Sequence, residues 1–193
     1  MKFFLVLLIS YLLGSIPFGY LIGRKHKVDL RRHGSGNIGA TNAFRVLGPE
    51  VGLLVLICDV AKGFLPVLIA NNLFGPFYGV GAGLAVMAGH NWSIFLRFQG
   101  GRGVATGAGV LIALMPGVVL IAFVIWLVVV LFTGYVSLGS ILASVAVPFI
   151  ALILHIPWEY YIFAVPAPII IVIRHLPNIR RLQAGTENRI RFW

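Results

Sequence analysis

The residues best suited to hold an anion lie in one short run, His33 to Arg45, which reads HGSGNIGATNAFR. Gly34, Gly36 and Gly39 let the backbone turn tightly and expose its N–H groups. A row of such groups opening a helix attracts phosphate above all. Ser35, Asn37 and Thr41 add neutral hydrogen-bonding groups, and Arg45 adds a guanidinium fork. Gly34, Gly36 and Gly39 also fit G-x-G-x-x-G, but that spacing means a dinucleotide fold only after a strand in a βαβ unit. The preceding DLRRH is no strand, so the run reads as a phosphate cradle at a membrane surface.

Two further polar clusters have the same flavour. His90-Asn91-Trp92-Ser93 leads into Arg97 and a second glycine-rich turn, Gly100-Gly101-Arg102-Gly103. Arg174-His175-Leu176-Pro177-Asn178 opens a third, which runs to Gly185-Thr186-Glu187. Topology alone accounts for basic residues. It does not account for Ser35, Asn37, Thr41, Asn42, His90, Asn91 or Asn178, and that set suggests a binding site for an anion. With 5 acidic residues and none clustered, neither a metal site nor a cofactor is expected.

No Ser-His-Asp set is legible, because no acid neighbours His90 or His175 in sequence. The H-x-x-x-x-D element of common glycerolipid acyltransferases is absent after every histidine, and there is no G-x-x-x-x-G-K-[ST] loop. His26 and His33 read as solvated loop residues and His155 as interfacial. His90 and His175 read as functional, since each sits beside an asparagine-bearing helix end. Asp59 and Lys62 lie three apart on one helix face. A structural ion pair and a functional pair both remain open for them.

The elements that position these clusters are membrane spans. The chain of 193 residues is 60% hydrophobic and only 10% charged, with a mean hydropathy of +1.00. Soluble domains carry about 25% charged residues, so this is an integral membrane protein. Runs such as Val118 to Phe132 lack the alternation of a membrane barrel, which selects helices. Cys58 stands alone in an apolar run, so no disulfide framework exists. The net charge of +10 is assigned to the positive-inside rule, and no nucleic-acid partner is expected.

Seven transmembrane helices are expected, each of ~20 residues. Span one runs from Phe3 to Gly23, with a kink at Gly14, Ser15 and Pro17, and is read as retained because no cleavage site follows. Span two opens at Gly48-Pro49-Glu50 and reaches Ala70. Span three covers Leu73 to Gly89, where Gly75, Gly79 and Gly83 allow close helix contact. Val104 to Thr133 is broken at Met115-Pro116-Gly117 and counts as two spans. Otherwise the basic segment 174–191 would face outside, against the charge rule. Gly134-Tyr135 is a tight turn, Val136 to Leu154 is span six, and the aromatic stretch at 155–161 is an outer interfacial belt. Span seven ends at Arg174. Thirteen of the 15 Lys and Arg fall in the polar clusters and their flanks. The N-terminus is therefore placed outside, and the C-terminus and active face are placed in the cytoplasm.

The residues that carry these features closely resemble the bacterial acyl-phosphate:glycerol-3-phosphate acyltransferases, the PlsY family. Nearly the whole chain takes part. The first motif resembles GSIPFGYLIGR (14–24) with DLRRHGSGNIGATNAFR (29–45), the second GHNWSIFLRFQGGRGVAT (89–106), and the third RHLPNIRRLQAGTE (174–187). One position departs: the family usually has lysine where Arg102 stands, and an arginine fork differs in geometry from a lysine point charge.

The resemblance implies transfer of a fatty acyl group from acyl phosphate to the 1-hydroxyl of glycerol 3-phosphate. It implies a single acyltransferase domain over residues 1–193, in the bacterial inner membrane, with lipid as its surroundings and a monomer as the expected state. Gly34, Ser35, Gly36, Asn37, Thr41 and Arg45 would then hold the acyl phosphate. Asn91 and Gly100, Gly101, Arg102 and Gly103 would hold glycerol 3-phosphate, His90 would orient the substrates, and Arg174, His175 and Asn178 would close the site. Ser35, Arg45, His90, His175 and Asn178 are the catalytic candidates. The proton of the attacking hydroxyl goes to His90, to His175 or to a substrate phosphate oxygen.

Two other classes compete. A transporter of an organic phosphate or other anion would use half-helix ends and charges near the midplane, where only Asp59 and Lys62 are on offer. A scaffold whose glycines serve packing alone leaves the amides unexplained.

Overall fold

The structure, a computed structural model, describes residues 1–190. Arg191, the last arginine of the basic tail, lies outside the described residues. Among these residues every regular segment is helical. The chain divides into two compact units, Met1–Leu114 and the part from Met115 onward. The division falls at the expected interruption before Pro116.

Unit 1 opens with α1 (Lys2–Ser15) and α2 (Phe18–Lys25), which break at Ile16-Pro17 as expected. A short loop region leads to α3 (Ala40–Leu47), and α4 (Pro49–Phe74), α5 (Pro76–Asn91) and α6 (Val104–Leu114) follow. Two Gly-Pro steps set these boundaries. Gly48 and Gly75 each take a φ of +92°, which favours glycine. Pro49 and Pro76 then start the next helix, where a missing N–H costs nothing. Span three therefore begins at Pro76 rather than at Leu73: Leu73 and Phe74 still belong to α4. Gly75 ends a helix rather than packing one, and the space around its Cα is open.

Gly79 does allow close contact, against Asn71 and Leu114, and reciprocal glycines elsewhere in unit 1 add more. A side chain at Gly14 would meet the Val86 backbone, and one at Gly89 the Tyr11 carbonyl, so α1 and α5 touch through main chain. Gly63 against Thr106 and Gly109 against Val60 do the same for α4 and α6. With lipid tails as apolar as leucine, such backbone approach is what holds membrane helices together.

Unit 2 comprises α7 (Pro116–Thr133), α8 (Val136–Ile153), α9 (Tyr161–Ala164), α10 (Pro166–Arg174) and α11 (Leu176–Gln183). Gly134, at φ +73°, makes the tight turn between α7 and α8. Among the described residues four stretches are long and apolar enough to cross a membrane: Lys2–Lys25, α4, α7 and α8. A fifth is the pair Trp158–Arg174 and Leu176–Gln183, bent by 54°. At 16 and 11 residues, α5 and α6 fall short of the ~20 residues of a full crossing.

Candidate active site

The first cluster is built around a residue that is not itself a ligand candidate. Asn42, on the first turn of α3, is buried to 1%. Its Nδ2 lies 3.1 Å from the Leu30 carbonyl, 3.0 Å from that of His33 and 2.8 Å from that of Asn37. Its Oδ1 accepts from the Ser35 N–H at 2.8 Å. One side chain thus gathers the whole turn from Leu30 to Asn37. The Gly36 N–H is also turned inward, bonded to the His33 carbonyl at 3.1 Å. The N–H groups of Ser35 and Gly36 thus serve the loop rather than lining an open cradle, because a turn gathered on one side chain pairs its own backbone first. What the loop presents outward is Thr41 and Arg45, both exposed, with Ser35 and Asn37 half-buried and Gly34 and Gly36 at the surface.

Arg31 is already engaged. Its guanidinium grips Asp29 through Nε at 2.9 Å and Nη2 at 2.7 Å and lies 4.5 Å from the Tyr20 ring centre. That charged hydrogen bond pulls the Asp29 carboxyl down to about 2.

The second cluster is wrapped on His90, which is only 5% exposed at the end of α5. The Gly101 N–H donates to the His90 carbonyl at 3.0 Å. A methyl on Gly101 would overlap His90 Nε2, and one on Gly100 would overlap the His90 carbonyl. The turn is therefore moulded to the histidine, and only glycine fits there. Gly103, at φ +84°, lies against Met87 and the Asn91 amide. Asn91 is fully buried, and among the described residues neither of its amide atoms has a hydrogen-bond partner. Arg102 is half-buried. An acid does approach His90, from another helix: Asp59 Oδ1 is 3.8 Å from its Nδ1. No sequence spacing could have shown that.

In unit 2 the third cluster closes on Glu187. Its carboxylate accepts from Asn178 Nδ2 at 2.6 Å, Arg181 Nε at 2.6 Å and Ser137 Oγ at 2.8 Å. Burial pushes the carboxyl up, but the bonds from Asn178, Arg181 and Ser137 outweigh it and hold the group below the ordinary glutamate value. Glu187 was not among the expected site residues. Its signal was available: it is one of 5 acids in the chain, set in a cluster of arginines.

Two orientations follow in this cluster. With Nδ2 committed to Glu187, Asn178 presents its buried Oδ1, which has no hydrogen-bond partner among the described residues. An acceptor suits a substrate hydroxyl rather than a phosphate oxygen. His175, 2% exposed, has Nδ1 2.8 Å from the Ile171 carbonyl. A carbonyl only accepts, so Nδ1 carries a proton, and a neutral ring then has its lone pair on Nε2. Arg174 is half-buried at the end of α10.

A family model described as glycerol-3-phosphate acyltransferase matches residues 4–185. Glycerol-3-phosphate acyltransferase 2 of Moorella thermoacetica is 50% identical over 187 residues, covering 96% of each chain. The glycerol-3-phosphate acyltransferase of Desulforamulus reducens is 47% identical over 188 residues, covering 96% of this chain and 94% of that one. Two crystal structures of PlsY, an integral membrane glycerol 3-phosphate acyltransferase, share the fold. The glycerol 3-phosphate form gives a TM-score of 0.95 at 41% identity, and the lysophosphatidic acid form 0.92 at 40%; each comparison covers 99% of this chain and 96% of the other. The chain is an integral membrane protein of the glycerol-3-phosphate acyltransferase family.

Proposed function

We propose that this protein transfers a fatty acyl group from acyl phosphate to the 1-hydroxyl of glycerol 3-phosphate, as the opening step of phospholipid synthesis. The products are 1-acylglycerol 3-phosphate and inorganic phosphate. The observation that carries this reading is the likeness to PlsY in both its glycerol 3-phosphate and its lysophosphatidic acid forms.

The chemistry asks little of covalent catalysis. The hydroxyl oxygen attacks the acyl carbon, the bond from that carbon to the phosphate oxygen breaks, and phosphate leaves with the electron pair. Phosphate is a good leaving group, so positioning and charge stabilisation supply most of the acceleration. The Arg45 fork, exposed, is the main anchor of the acyl phosphate, with the Ser35 and Thr41 hydroxyls and the Asn37 amide beside it on the turn that Gly34 and Gly36 shape. Asn91, Gly100, Gly101, Gly103 and the Arg102 guanidinium hold glycerol 3-phosphate beside His90. In unit 2, Arg174, His175 and Asn178 contact substrate, and the Oδ1 of Asn178 suits a hydroxyl. His90, His175 or a phosphate oxygen of the substrate takes the proton.

The finer topology belongs to the same reading: seven spans, N-terminus outside, C-terminus and active face in the cytoplasm, in the bacterial inner membrane, as a monomer. The grouping of basic residues supports it. The family match across both units supports a single acyltransferase domain.

The test is phosphate release by the purified protein in lipid, given palmitoyl phosphate with and without glycerol 3-phosphate. Release that needs glycerol 3-phosphate, yields lysophosphatidate and disappears in Arg45→Ala is expected. No release, with acyl-CoA also inert, would favour an anion transporter instead.

A further inference from the structure

The acyltransferase chemistry leaves one buried charge pair unused. Asp59 and Lys62 face each other on α4 at 2.8 Å, with side chains only 3% and 5% exposed. Neither lies in a glycine-rich loop, yet each reaches towards one. Asp59 Oδ1 stands 3.8 Å from His90 Nδ1, and the His90 ring is the surface on which Gly100 and Gly101 are moulded. Lys62 Nζ donates to the Ile16 carbonyl at 2.8 Å, at the break between α1 and α2, and lies 5.6 Å from the Phe18 ring centre. From that break α2 runs directly to the first loop. Gly19 touches the Ile38 carbonyl so closely that any side chain there would overlap it.

The two arms thus join the glycine-rich loops through one ion pair. The first runs Asp59, His90, Gly101; the second runs Lys62, Ile16, Gly19, Ile38. We propose that Asp59 and Lys62 are positioning residues that set the placement of the 33–39 and 100–103 loops, and so the fit of the two phosphate-bearing substrates. The pair touches no substrate itself. A pair kept only for charge balance would need neither the 3.8 Å approach to His90 nor the bond to a helix break, since buried ion pairs are replaceable by apolar residues at little cost in stability.

The proposal rests on the acyltransferase reading, and the test separates the two. Wild type, Asp59→Glu, Lys62→Arg and the double variant Asp59→Asn/Lys62→Met are compared in lipid vesicles. KM for glycerol 3-phosphate and for palmitoyl phosphate, kcat and the unfolding midpoint are measured for each. The single variants keep both charges but shift them along the arms. The double variant removes both charges, leaves neither unpaired, and leaves the Ile16 carbonyl its bond from the Phe18 N–H. The expected result is a rise of about tenfold or more in KM for at least one substrate, larger than the change in kcat, as small misplacements cost. The unfolding midpoint stays near wild type. A double variant with wild-type KM for both substrates, or wild-type kinetics in both single variants, overturns the proposal. So does loss of midpoint and turnover together in every variant, which makes the pair structural. An inert wild type overturns the acyltransferase reading and the proposal with it, whereas an active wild type with unaffected variants overturns only the proposal.

Discussion

Asn178 donates its side-chain amide to Glu187 across 2.6 Å, so the orientation of one substrate-contact candidate is set by an acid nine residues further on. Glu187→Gln keeps the shape but puts an amide where Arg181 and Asn178 both need an acceptor with full charge. We expect a loss of about 2 kcal/mol in stability, within the range for hydrogen bonds to a charged group, and a clear loss of turnover. Unfolding in lipid and steady-state kinetics measure the two separately.

The same carboxyl gives a pH signature. Its folded value lies below the ordinary one, so its stabilisation is complete above the unfolded glutamate value of about 4.3. It is lost as the pH falls through the lower, folded value. Acid titration of the unfolding midpoint should show this drop in wild type and lack it in Glu187→Gln. Equal slopes in both proteins would refute the assignment.

Asn42 is expected to matter as much for folding as Arg45 does for binding. Asn42→Ala removes one donor from the Leu30 and His33 carbonyls, which keep the His33 and Gly36 N–H groups, and takes the Asn42 bond from the Asn37 carbonyl and the Ser35 N–H, at about 1–3 kcal/mol for each group left buried and unpaired. Hydrogen exchange at residues 30–42 should speed up and the unfolding midpoint should fall. Arg45→Ala, at an exposed position, should leave both unchanged while raising KM for acyl phosphate so far that phosphate release is lost.

Gly101 separates two kinds of glycine. Gly101→Ala drives a methyl into His90 and should cost about a hundredfold in kcat/KM, the scale expected for displaced catalytic groups. Gly36→Ala meets only the Arg31 carbonyl, at 3.3 Å. Its cost is chiefly backbone strain at φ +72°, about 1–2 kcal/mol of stability. Kinetics and thermal unfolding of the two proteins should therefore show opposite emphases.

His175 is divisible by atom. Asparagine places its amide nitrogen near Nδ1 and preserves the bond to Ile171, whereas glutamine reaches Nε2 and loses it. If His175 is the base, His175→Asn should fold like wild type and lose at least about a hundredfold in kcat, the scale of general base catalysis. Unchanged turnover with an unchanged pH profile would pass the role to His90 or to the substrate.

The helix boundaries were legible wherever the chain spells a stop and a start together. Gly48-Pro49, Pro17, Met115-Pro116 and Gly134 all fall where the helices break, because glycine and proline act on the backbone locally. The polar clusters were legible by composition. The organising residues within them were not. Asn42 and Glu187 act through partners 5 to 12 residues and 6 to 50 residues away respectively. Asp59 reaches His90 only because α4 and α5 pack together. Of the evenly spaced glycines, Gly79 does lie close against Asn71 and Leu114 whereas Gly75 ends a helix; Gly14 and Gly89, and Gly63 and Gly109, were not legible because they pack across two helices.

The break at Ile16-Pro17 also bears on how the protein is made. Ser93 Oγ meets the Ser15 carbonyl at 2.6 Å, and Lys62 Nζ at 2.8 Å adds to the Phe18 N–H at 3.1 Å on the Ile16 carbonyl. Both side-chain donors belong to segments synthesised later. In hydrocarbon an unmet carbonyl costs several kcal/mol, so the bent first span gains its full set of bonds only after these later segments are in place. The bend is therefore completed by α4 and the chain past α5, late in biogenesis.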